Sequence, residues 1–367
     1  MIHVCNNYIA TKVHKNLIEE LAISECQYVI VPIRKDSDKH VNRSKSKNVC
    51  LDYFRYPNFL KWLPLVKVIF LFIRVFFKIL RIKSRAFVVA HNIWSDGVPV
   101  FLCSLFFGYS YSVSVRGTDI KVFLPKLPHY RWIFGLVIGK SSSLVFISEA
   151  HRQKFLHKWP DLYRKAQRVD VIPNGVDQYW HDNIKKLSFM PFSQRPIRVV
   201  YTGRFLKVKN LRNLYAALLV IRAKLDVEFV AVGGTELEFR ELCDINAVPE
   251  WVTVINWING REQLSEIMSN ARVFAMPSIT ETFGISYVEA LCSGCSVIHS
   301  FGEGIDGFFN VDYIRSVDPF DLNDIADNIK YLLEKYPGGT PAIEIPELVN
   351  SFDWAKIAHE YVMLEDN

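Results

Sequence analysis

Two glutamates, Glu281 and Glu289, lie eight positions apart in the otherwise apolar stretch ITETFGISYVEALCSG, residues 279–294. Phe283-Gly284 stands between them. If the whole stretch were helical, the two carboxylates would be about 80° apart around the axis and about 12 Å apart along it. That separation is too large for two acids that share a proton. It suits two acids that hold opposite ends of one elongated ligand.

A second group of candidate ligand-binding residues follows predicted strands in the same half of the chain. The strand in IRVVYTGR ends in Gly203-Arg204, and Lys209 follows five residues later. Two cations beyond the carboxyl end of a strand can hold a diphosphate. Gly233, in the sequence VGG, leaves room for a ligand beside another strand end. Phe283-Gly284 is predicted to begin a helix, whose free N–H groups and dipole favour an anion.

The elements that position these residues alternate along the whole chain. Near-continuous apolar runs such as QYVIVPI, AFVVAHN, IRVVYTGR and VEFVAVGG read as strands, and periodic segments between them read as helices. This alternation predicts parallel sheets that are covered on both faces. We therefore predict an α/β protein with two Rossmann-like, doubly wound parallel-sheet domains and an interdomain cleft. The first domain is expected over 1–180 and the second over 195–345, with a polar, proline-containing linker over 181–196.

Composition restricts the class of protein. Half of the 367 residues are hydrophobic and 14% are aromatic, which excludes wholesale disorder. The seven cysteines are an odd, scattered set, as expected for reduced thiols in a cytosolic protein. The chain begins almost at once with a strand pattern, so a signal peptide is not expected.

Charge is divided unequally between the two halves. Residues 1–200 carry a net charge of +18 and the remainder carries −12, although the whole chain sums to only +6. This asymmetry favours two domains with different partners, the first of which faces something anionic.

The segment 59–85 is the most apolar in the chain, but its cations are too frequent for a bilayer span. On a helix these cations fall within roughly 40° of one line. They are Lys67, Arg74, Lys78, Arg81 and Arg85. The pattern predicts an interfacial helix on an anionic membrane surface. The alternative is a helix that packs its apolar face on the sheet while the cations reach solvent. We favour the membrane because the apolar arc is wider than one packing interface needs.

Nucleic acid is the other anionic partner that a basic half could bind. In 59–85 the cations are interleaved with bulky aliphatic residues and not with exposed stacking aromatics or polar base readers. We therefore expect no nucleic acid partner.

The ordered set of motifs resembles the retaining glycosyltransferases of family 4, which have the GT-B fold. Four stretches occur in that family's order: VIPNGVD, the Gly203-Arg204 strand with Lys209, AMPSITETFGISYVEALCSGCSVI and SFDWAKIAHEYV. They cover the C-terminal half closely and the N-terminal half loosely. A lone pair of glutamates at this spacing would be a weak signal, whereas the ordered set is a strong one.

The resemblance implies roles for the matching residues. Glu289 would bind the ribose hydroxyls of a nucleotide-sugar donor, and Glu281 would hold the sugar hydroxyls and distal phosphate with the backbone around Phe283-Gly284. Arg204 and Lys209 would take the diphosphate. In the family's front-face mechanism this diphosphate is both the leaving group and the base, so the protein stabilises charge and positions the reactants. Neither a side-chain nucleophile nor a metal cofactor is then expected.

Several residues depart from the family pattern. Asn6-Asn7 stands near the place of a Gly-Gly loop, and the family's His-Gly-x-Asp is replaced by a stretch from Arg116 to Asp119. An arginine there adds a phosphate or acceptor contact, but it cannot act as a neutral imidazole. His91, at another strand end, is either an acceptor-side residue or a packed or capping histidine. We take His91, Arg116 and Asp119 as candidate substrate-binding residues.

Other functions fit parts of the pattern. GEGIDG, residues 302–307, has the spacing of a dinucleotide fingerprint, as in an NAD-dependent oxidoreductase, but the sequence after it does not read as the required helix. A nucleotide-sugar epimerase of the same fold would leave the segment 59–85 unexplained. A non-catalytic membrane-binding module would not need the acids and cations described above.

The function we expect from the resemblance is transfer of a sugar from a UDP-sugar, or a GDP-sugar, to a lipid-linked saccharide acceptor. The setting it implies is bacterial lipopolysaccharide O-antigen or capsule synthesis, on the inner face of the plasma membrane. The donor is expected on the C-terminal domain and the acceptor on the N-terminal one. A helix within 346–367 is expected to cross back to the first domain, as in the family.

Overall fold

The computed structural model describes residues 1–82, 86–187 and 196–365. The chain forms two compact units. Unit 1 comprises Met1–Ile147, Arg152–Gly175 and Trp354–Asn367, and unit 2 comprises Ser148–His151 and Val176–Asp353. The domain bounds expected from the sequence, 180 and 346, thus differ from these divisions by several residues. The C-terminal residues that lie with unit 1 begin at Trp354.

The strands are parallel and short, and most of their side chains are buried. In chain order they are β1 (Ile2–Val4), β2 (Gln27–Ile33), β3 (Val49–Arg55), β4 (Val88–Ala90), β5 (Tyr111–Val115), β6 (Ser143–Phe146), β7 (Val169–Val171), β8 (Arg198–Thr202), β9 (Glu228–Val232), β10 (Val252–Ile255), β11 (Val273–Ala275), β12 (Ser296–Ser300) and β13 (Ile314–Val317). Their apolar character on both faces follows from helices that cover both sides of a parallel sheet.

The α-helices alternate with the strands. They are α1 (Lys12–Leu21), α2 (Pro64–Ile82), α3 (Val98–Phe107), α4 (Leu124–Lys126), α5 (Arg131–Lys140), α6 (Glu149–Lys158), α7 (Pro160–Tyr163), α8 (Gln178–Leu187), α9 (Leu211–Arg222), α10 (Glu236–Cys243), α11 (Arg261–Ser269), α12 (Ile285–Cys292), α13 (Leu322–Lys335), α14 (Ile345–Val349) and α15 (Trp354–Val362). Helix α8 occupies much of the predicted linker; the remainder of that linker, residues 188–195, lies outside the described residues.

Each unit contains one sheet. The strand order is β3-β2-β1-β4-β5-β6-β7 in unit 1 and β10-β9-β8-β11-β12-β13 in unit 2. In both sheets the order reverses once, between β1 and β4 in the first and between β8 and β11 in the second. Ligands of doubly wound sheets bind beyond the carboxyl ends of the strands at such a reversal. The prediction of two Rossmann-like parallel-sheet domains is confirmed.

Local signals in the sequence correctly predict several helix ends. The Asp321 side chain accepts hydrogen bonds from the backbone N–H groups of Asn323 and Asp324 at the start of α13, as an aspartate before a helix is expected to do. Gly294 has φ of +80° directly after the C-cap of α12, the left-handed conformation expected of a glycine that ends a helix.

Helix α2 is apolar on two opposite sides. One side packs into the core of unit 1 through Val68, Leu71, Val75 and Ile79. The other side is exposed and, with neighbouring residues, forms what we call the apolar ridge. Its members are Phe59, Trp62, Leu63, Leu65, Val66, Ile69, Ile73, Phe77, Leu80, Leu105 and Phe106. A surface helix normally presents polar residues on its outer side, so this arrangement requires an explanation.

The cations of α2 do not form the exposed line that the sequence predicted. Lys67 and Lys78 are each only 9% exposed. The Lys78 ammonium pairs with the Asp52 carboxylate, and Lys67 lies over the ring of Tyr56 at 5.2 Å from its centroid. Arg74 and Arg81 are exposed, and Arg85 lies outside the described residues. Both earlier interpretations placed these amines toward headgroups or solvent and are therefore wrong for the two lysines.

Candidate functional site

The site in unit 2 begins where β8 and β9 end side by side. Gly233 has φ of +126°, and a Cβ added to it would lie 2.2 Å from the carbonyl oxygen of Gly203. The Gly203 N–H donates to Val232 O at 2.9 Å. The space beside Gly233, which the sequence assigned to a ligand, is therefore filled by the backbone of Gly203. The glycine is required because two backbones approach each other closely.

The two predicted cations differ in what they contact. Arg204 is exposed directly after Gly203. The Lys209 ammonium forms an ion pair with the Glu281 carboxylate, and both side chains are mostly buried. This pair joins the end of β8 to the segment after β11, which are the two sides of the sheet reversal. Lys209 is thus held by an ion pair, whereas Arg204 faces solvent.

Glu281 is held in a loop and not on a helix. Helix α12 begins only at Ile285, with Gly284 as its N-cap at φ of +80°. The all-helical geometry expected for the two glutamates therefore applies only to Glu289. The Glu281 carboxylate also accepts a hydrogen bond from the backbone N–H of Thr282 at 3.0 Å. Its second partner besides Lys209 is thus the backbone of its own loop.

Phe283 lies in the loop directly before the N-cap of α12. Its side chain is buried and packs against Phe308 and Phe352, with ring centroids 6.0 and 5.8 Å away. The side chain therefore anchors the loop in the core of unit 2. A Cβ added at Gly284 would lie 2.3 Å from the Tyr287 ring, so this glycine is required by the packing of Tyr287.

Sequence reasoning missed the contribution of the loop after β12. The Glu303 carboxylate accepts a hydrogen bond from the Glu281 backbone N–H at 2.8 Å, and the Gly304 N–H donates to Glu281 O at 3.2 Å. A Cβ at Gly304 would lie 2.8 Å from Phe283 O. These residues belong to the GEGIDG stretch, and residues 301–313, all of them described, contain no helix after it. Gly304 therefore serves loop packing, and the stretch lacks the helix that a dinucleotide fingerprint requires.

Glu289 lies on α12, near Asp177, Arg261 and Trp180. Burial raises the pKa of this carboxyl to about 7, and the charge of Asp177 acts in the same direction. The Arg261 guanidinium and a hydrogen bond from Trp180 partly offset this rise in pKa. Arg261 itself is ion-paired with Asp177 at 2.6 Å. A buried carboxyl with few fixed partners is suited to accept hydrogen bonds from a bound polar group.

In unit 1 the three predicted residues cluster, but two of them are enclosed. His91 is 1% exposed, and its Nε2 lies 3.1 Å from Nδ1 of His3. The buried Asp119 carboxylate accepts hydrogen bonds from the backbone N–H groups of Arg116 and Ile93, at 2.8 and 3.1 Å. Burial raises the pKa of Asp119 to about 7. His91 and Asp119 are thus packed within unit 1.

Arg116 is partly exposed and connects strand ends of unit 1. Its Nε donates to the backbone oxygen of His91 at 3.3 Å, and an Nη donates to Asn174 at 3.4 Å. Of the three residues, Arg116 alone keeps a polar side chain near the surface of the described part of unit 1.

A cavity of about 560 Å³ opens at the carboxyl ends of β1 and β2. Asn6, Asn7, Arg34, Lys35 and Tyr56 are among its lining residues. These residues can be identified from their positions in the sequence, because polar residues directly after neighbouring parallel strands lie together at one edge of the sheet. Asn58 also lines this cavity, so the cavity lies close to Phe59, where the apolar ridge begins.

The sequence of unit 2 carries the match to known proteins. Residues 185–342 match the family described as Glycosyl transferases group 1. Among curated proteins, the alpha-maltose-1-phosphate synthase of Mycobacterium tuberculosis is 30% identical over 191 residues, which is 47% of this chain and 47% of that protein. The chain thus spans about half the length of the curated relatives it matches.

Solved structures resemble the whole chain. Sucrose-phosphate synthase from Thermosynechococcus elongatus has a TM-score of 0.73 at 20% identity, covering 100% of this chain and 98% of that one. Anabaena Alr3699/HepE in complex with UDP and glucose has a TM-score of 0.69 at 16% identity, covering 100% and 99%. At such identities these likenesses establish the fold, which is GT-B.

Proposed function

We propose that this protein is a retaining glycosyltransferase of family 4 that uses a nucleotide-diphosphate sugar, with a UDP-sugar favoured. The observation that carries the proposal is the cluster at the reversal of the unit 2 sheet. There an exposed arginine, an ion-paired lysine and the N-terminus of α12 lie next to one another in the fold. The family match over residues 185–342 and the UDP held by the structurally similar HepE support it.

The proposed chemistry makes the nucleoside diphosphate the leaving group. The bond between the sugar's anomeric carbon and the phosphate oxygen breaks, and the acceptor hydroxyl forms the new bond on the same face. The hydroxyl proton passes to the departing diphosphate. Negative charge grows on that diphosphate in the transition state, and Arg204, Lys209 and the N–H groups before α12 stabilise it.

The two glutamates have separate roles in this proposal. Glu289 accepts hydrogen bonds from the ribose hydroxyls, and its burial strengthens them because water does not compete. Glu281 contacts the sugar and fixes the Lys209 ammonium, with which it pairs. The two acids of the apolar segment 279–294 thus hold opposite ends of the donor in this proposal.

Donor binding provides the direct test. UDP is expected to raise the melting temperature of the wild-type protein, since a ligand that binds only the folded state stabilises it.

Glu289→Ala is expected to weaken UDP binding about tenfold, the value of one lost hydrogen bond to a charged group. Isothermal titration calorimetry measures this change. Glu266→Ala, an exposed glutamate on α11, is the matched control. Unchanged UDP affinity in Glu289→Ala would remove the ribose assignment.

For the acceptor we propose a lipid-linked saccharide, held on unit 1. The polar cavity with Arg34 and Lys35 suits a phosphate group, and the apolar ridge begins at Phe59, just after the cavity-lining residues Tyr56 and Asn58. The protein would then sit peripherally on the inner face of a bacterial plasma membrane, during assembly of a lipopolysaccharide O-antigen or a capsule. Across the described residues, none of the helices has the length and hydropathy to span a bilayer.

The apolar ridge replaces the predicted line of cations as the membrane contact. Phe77 is 55% exposed and Phe106 is 68% exposed, and the Phe106 ring packs against that of Phe76 at 5.5 Å between centroids. The ridge therefore joins α2 and α3 in one apolar surface. Insertion of such a surface among acyl chains is favoured by burial of apolar area, while the exposed Arg74 and Arg81 can contact anionic headgroups.

Membrane binding is expected to depend on the ridge itself. Ile73→Asp combined with Phe77→Asp should lower partitioning to phosphatidylethanolamine–phosphatidylglycerol vesicles by at least about 100-fold, because each replacement removes roughly 1.5–3 kcal/mol of apolar burial. Vesicle sedimentation measures the effect. Leu219→Asp with Val220→Asp, on the exposed side of α9, is the matched control. Equal sedimentation of both double variants would contradict the assignment.

A soluble sugar phosphate is the second candidate acceptor. Two of the proteins described above are named as synthases of sugar phosphates, which favours it. The cavity with Arg34 and Lys35 suits that phosphate equally well. Transfer to soluble sugar phosphates by wild-type protein that does not bind vesicles would select this candidate and leave the donor proposal intact.

A further inference from the structure

Unit 1 contains a buried cluster of metal-ligating residues outside the proposed donor site. Cys5 follows β1, His91 follows β4, and His14 lies on α1. All three are buried, and one potential ligand atom from each lies within 4.8 Å of the others. These residues are at the reversal of the unit 1 sheet, where strand ends and a helix converge. Sequence spacing could not show the cluster because its members are far apart in the chain.

Hydrogen bonds around the cluster fix which ring nitrogen is available. His3 Nε2 lies 3.0 Å from the Gln27 side-chain oxygen, which can only accept, so His3 carries its proton there. His3 Nδ1 is then an acceptor, and it faces Nε2 of His91 at 3.1 Å. His91 must donate from Nε2, which leaves a lone pair on its Nδ1.

The nitrogens left over are buried and have no partner among the described residues. These are Nδ1 of His91 and Nδ1 of His14. An orphaned polar atom in the interior costs free energy unless something binds it. A histidine that ligates a metal through one nitrogen and donates a hydrogen bond from the other is the arrangement that protein metal sites use. His91, held by His3 and in turn by Gln27, has that arrangement.

A bound cation would deprotonate the Cys5 thiol and release one proton.

We propose that Cys5, His14 and His91 bind one zinc ion. In a tetrahedral site with the usual zinc bond lengths, neighbouring ligand atoms are about 3.3–3.6 Å apart, so the ligand atoms, which lie within 4.8 Å of one another, move closer together when the ion binds. The ion ties β1, β4 and α1 together at the sheet reversal. Its role is structural, and sugar transfer on unit 2 does not require it.

Cobalt substitution tests the proposal, since Co²⁺ bound to a thiolate absorbs near-ultraviolet and visible light. The wild-type protein is expected to bind one equivalent of Co²⁺ with a thiolate charge-transfer band, and Zn²⁺ should displace it. Cys5→Ser should lose the band. Cys103→Ser, which alters another buried cysteine of unit 1, should keep it. Absence of the band in the wild-type protein, or an equal band in Cys5→Ser, would overturn the proposal.

A second measurement covers variants that fold poorly. Elemental analysis of the wild-type protein after growth with added zinc is expected to give one zinc per chain, and removal of the metal by a chelator should lower the melting temperature. Less than about a tenth of an equivalent would contradict the assignment, given the affinities of zinc sites with cysteine and histidine ligands. UDP binding serves as the separate readout of the donor site, so failure of one proposal does not imply failure of the other.

Discussion

Arg204→Ala is expected to lower turnover with a UDP-sugar by roughly 10²–10³-fold, while the KM for the donor changes little. Arg204 is exposed next to Gly203, at the carboxyl end of β8. Its guanidinium can therefore meet the charge that develops on the departing diphosphate. Removal of one preorganised donor to a developing anion typically costs this factor in kcat. An interaction made mainly in the transition state lowers kcat and leaves ground-state binding nearly intact.

Steady-state kinetics on Arg204→Ala and on a matched control provide the measurement. Lys207→Ala is that control, because Lys207 is an exposed cation in the same loop, three positions away. Its turnover should stay within a factor of about two, since a solvated charge contributes little. If both variants lost activity equally, general electrostatics would explain the effect. If Arg204→Ala kept its wild-type kcat, leaving-group stabilisation by this residue would be excluded.

Lys209 differs from Arg204 because its ammonium is already committed to Glu281. The pair neutralises itself until a ligand arrives, and a diphosphate would then share the ammonium with the carboxylate. Loss of either partner leaves the other charged in a mostly buried position, which is costly. The effects of substitutions at these two positions should therefore be strongly non-additive. The function of Lys209 cannot be separated from that of Glu281 by single substitutions.

The fold was predictable because its signals are local. Buried parallel strands appear as continuous apolar runs, and Asp321 and Gly294 mark helix ends through chemistry within a few residues. The cluster at the unit 2 sheet reversal was predictable for a related reason. Residues after parallel strands meet at one edge of a sheet, so Arg204 and Glu281 could be assigned to one site from their positions after strands.

Contacts between distant segments were not predictable. Periodicity located the line of cations on α2, but it could not decide which of two apolar sides packs into the core. Val68 and Leu71 face inward and Ile69 and Ile73 face outward, although their hydrophobicity is similar. Which side packs inward depends on partners such as Asp52 on β3, which pairs with Lys78. The enclosure of His91 and the bond from Glu281 to Glu303 depend on distant partners in the same way.

Gly233→Ala is expected to destabilise unit 2 by about 2–4 kcal/mol, even though alanine is small and apolar. The φ of +126° is unfavourable for any residue with a Cβ, and strain of this kind costs on the order of 1–3 kcal/mol. In addition the new methyl group would lie 2.2 Å from Gly203 O, a backbone atom that cannot rotate away. The ends of β8 and β9 must separate, which also displaces Arg204.

Denaturant unfolding of Gly233→Ala measures the loss, and Gly260→Ala is the matched control in the same unit. Gly260 has φ of −82°, and a Cβ there would have only Gln263 Cβ at 4.0 Å, so its substitution should be nearly neutral. The comparison also separates the two explanations of Gly233. A glycine reserved for ligand approach would give a stable protein that binds UDP weakly. A glycine required by backbone contact gives a protein that unfolds more easily with or without UDP, and the geometry favours this second result.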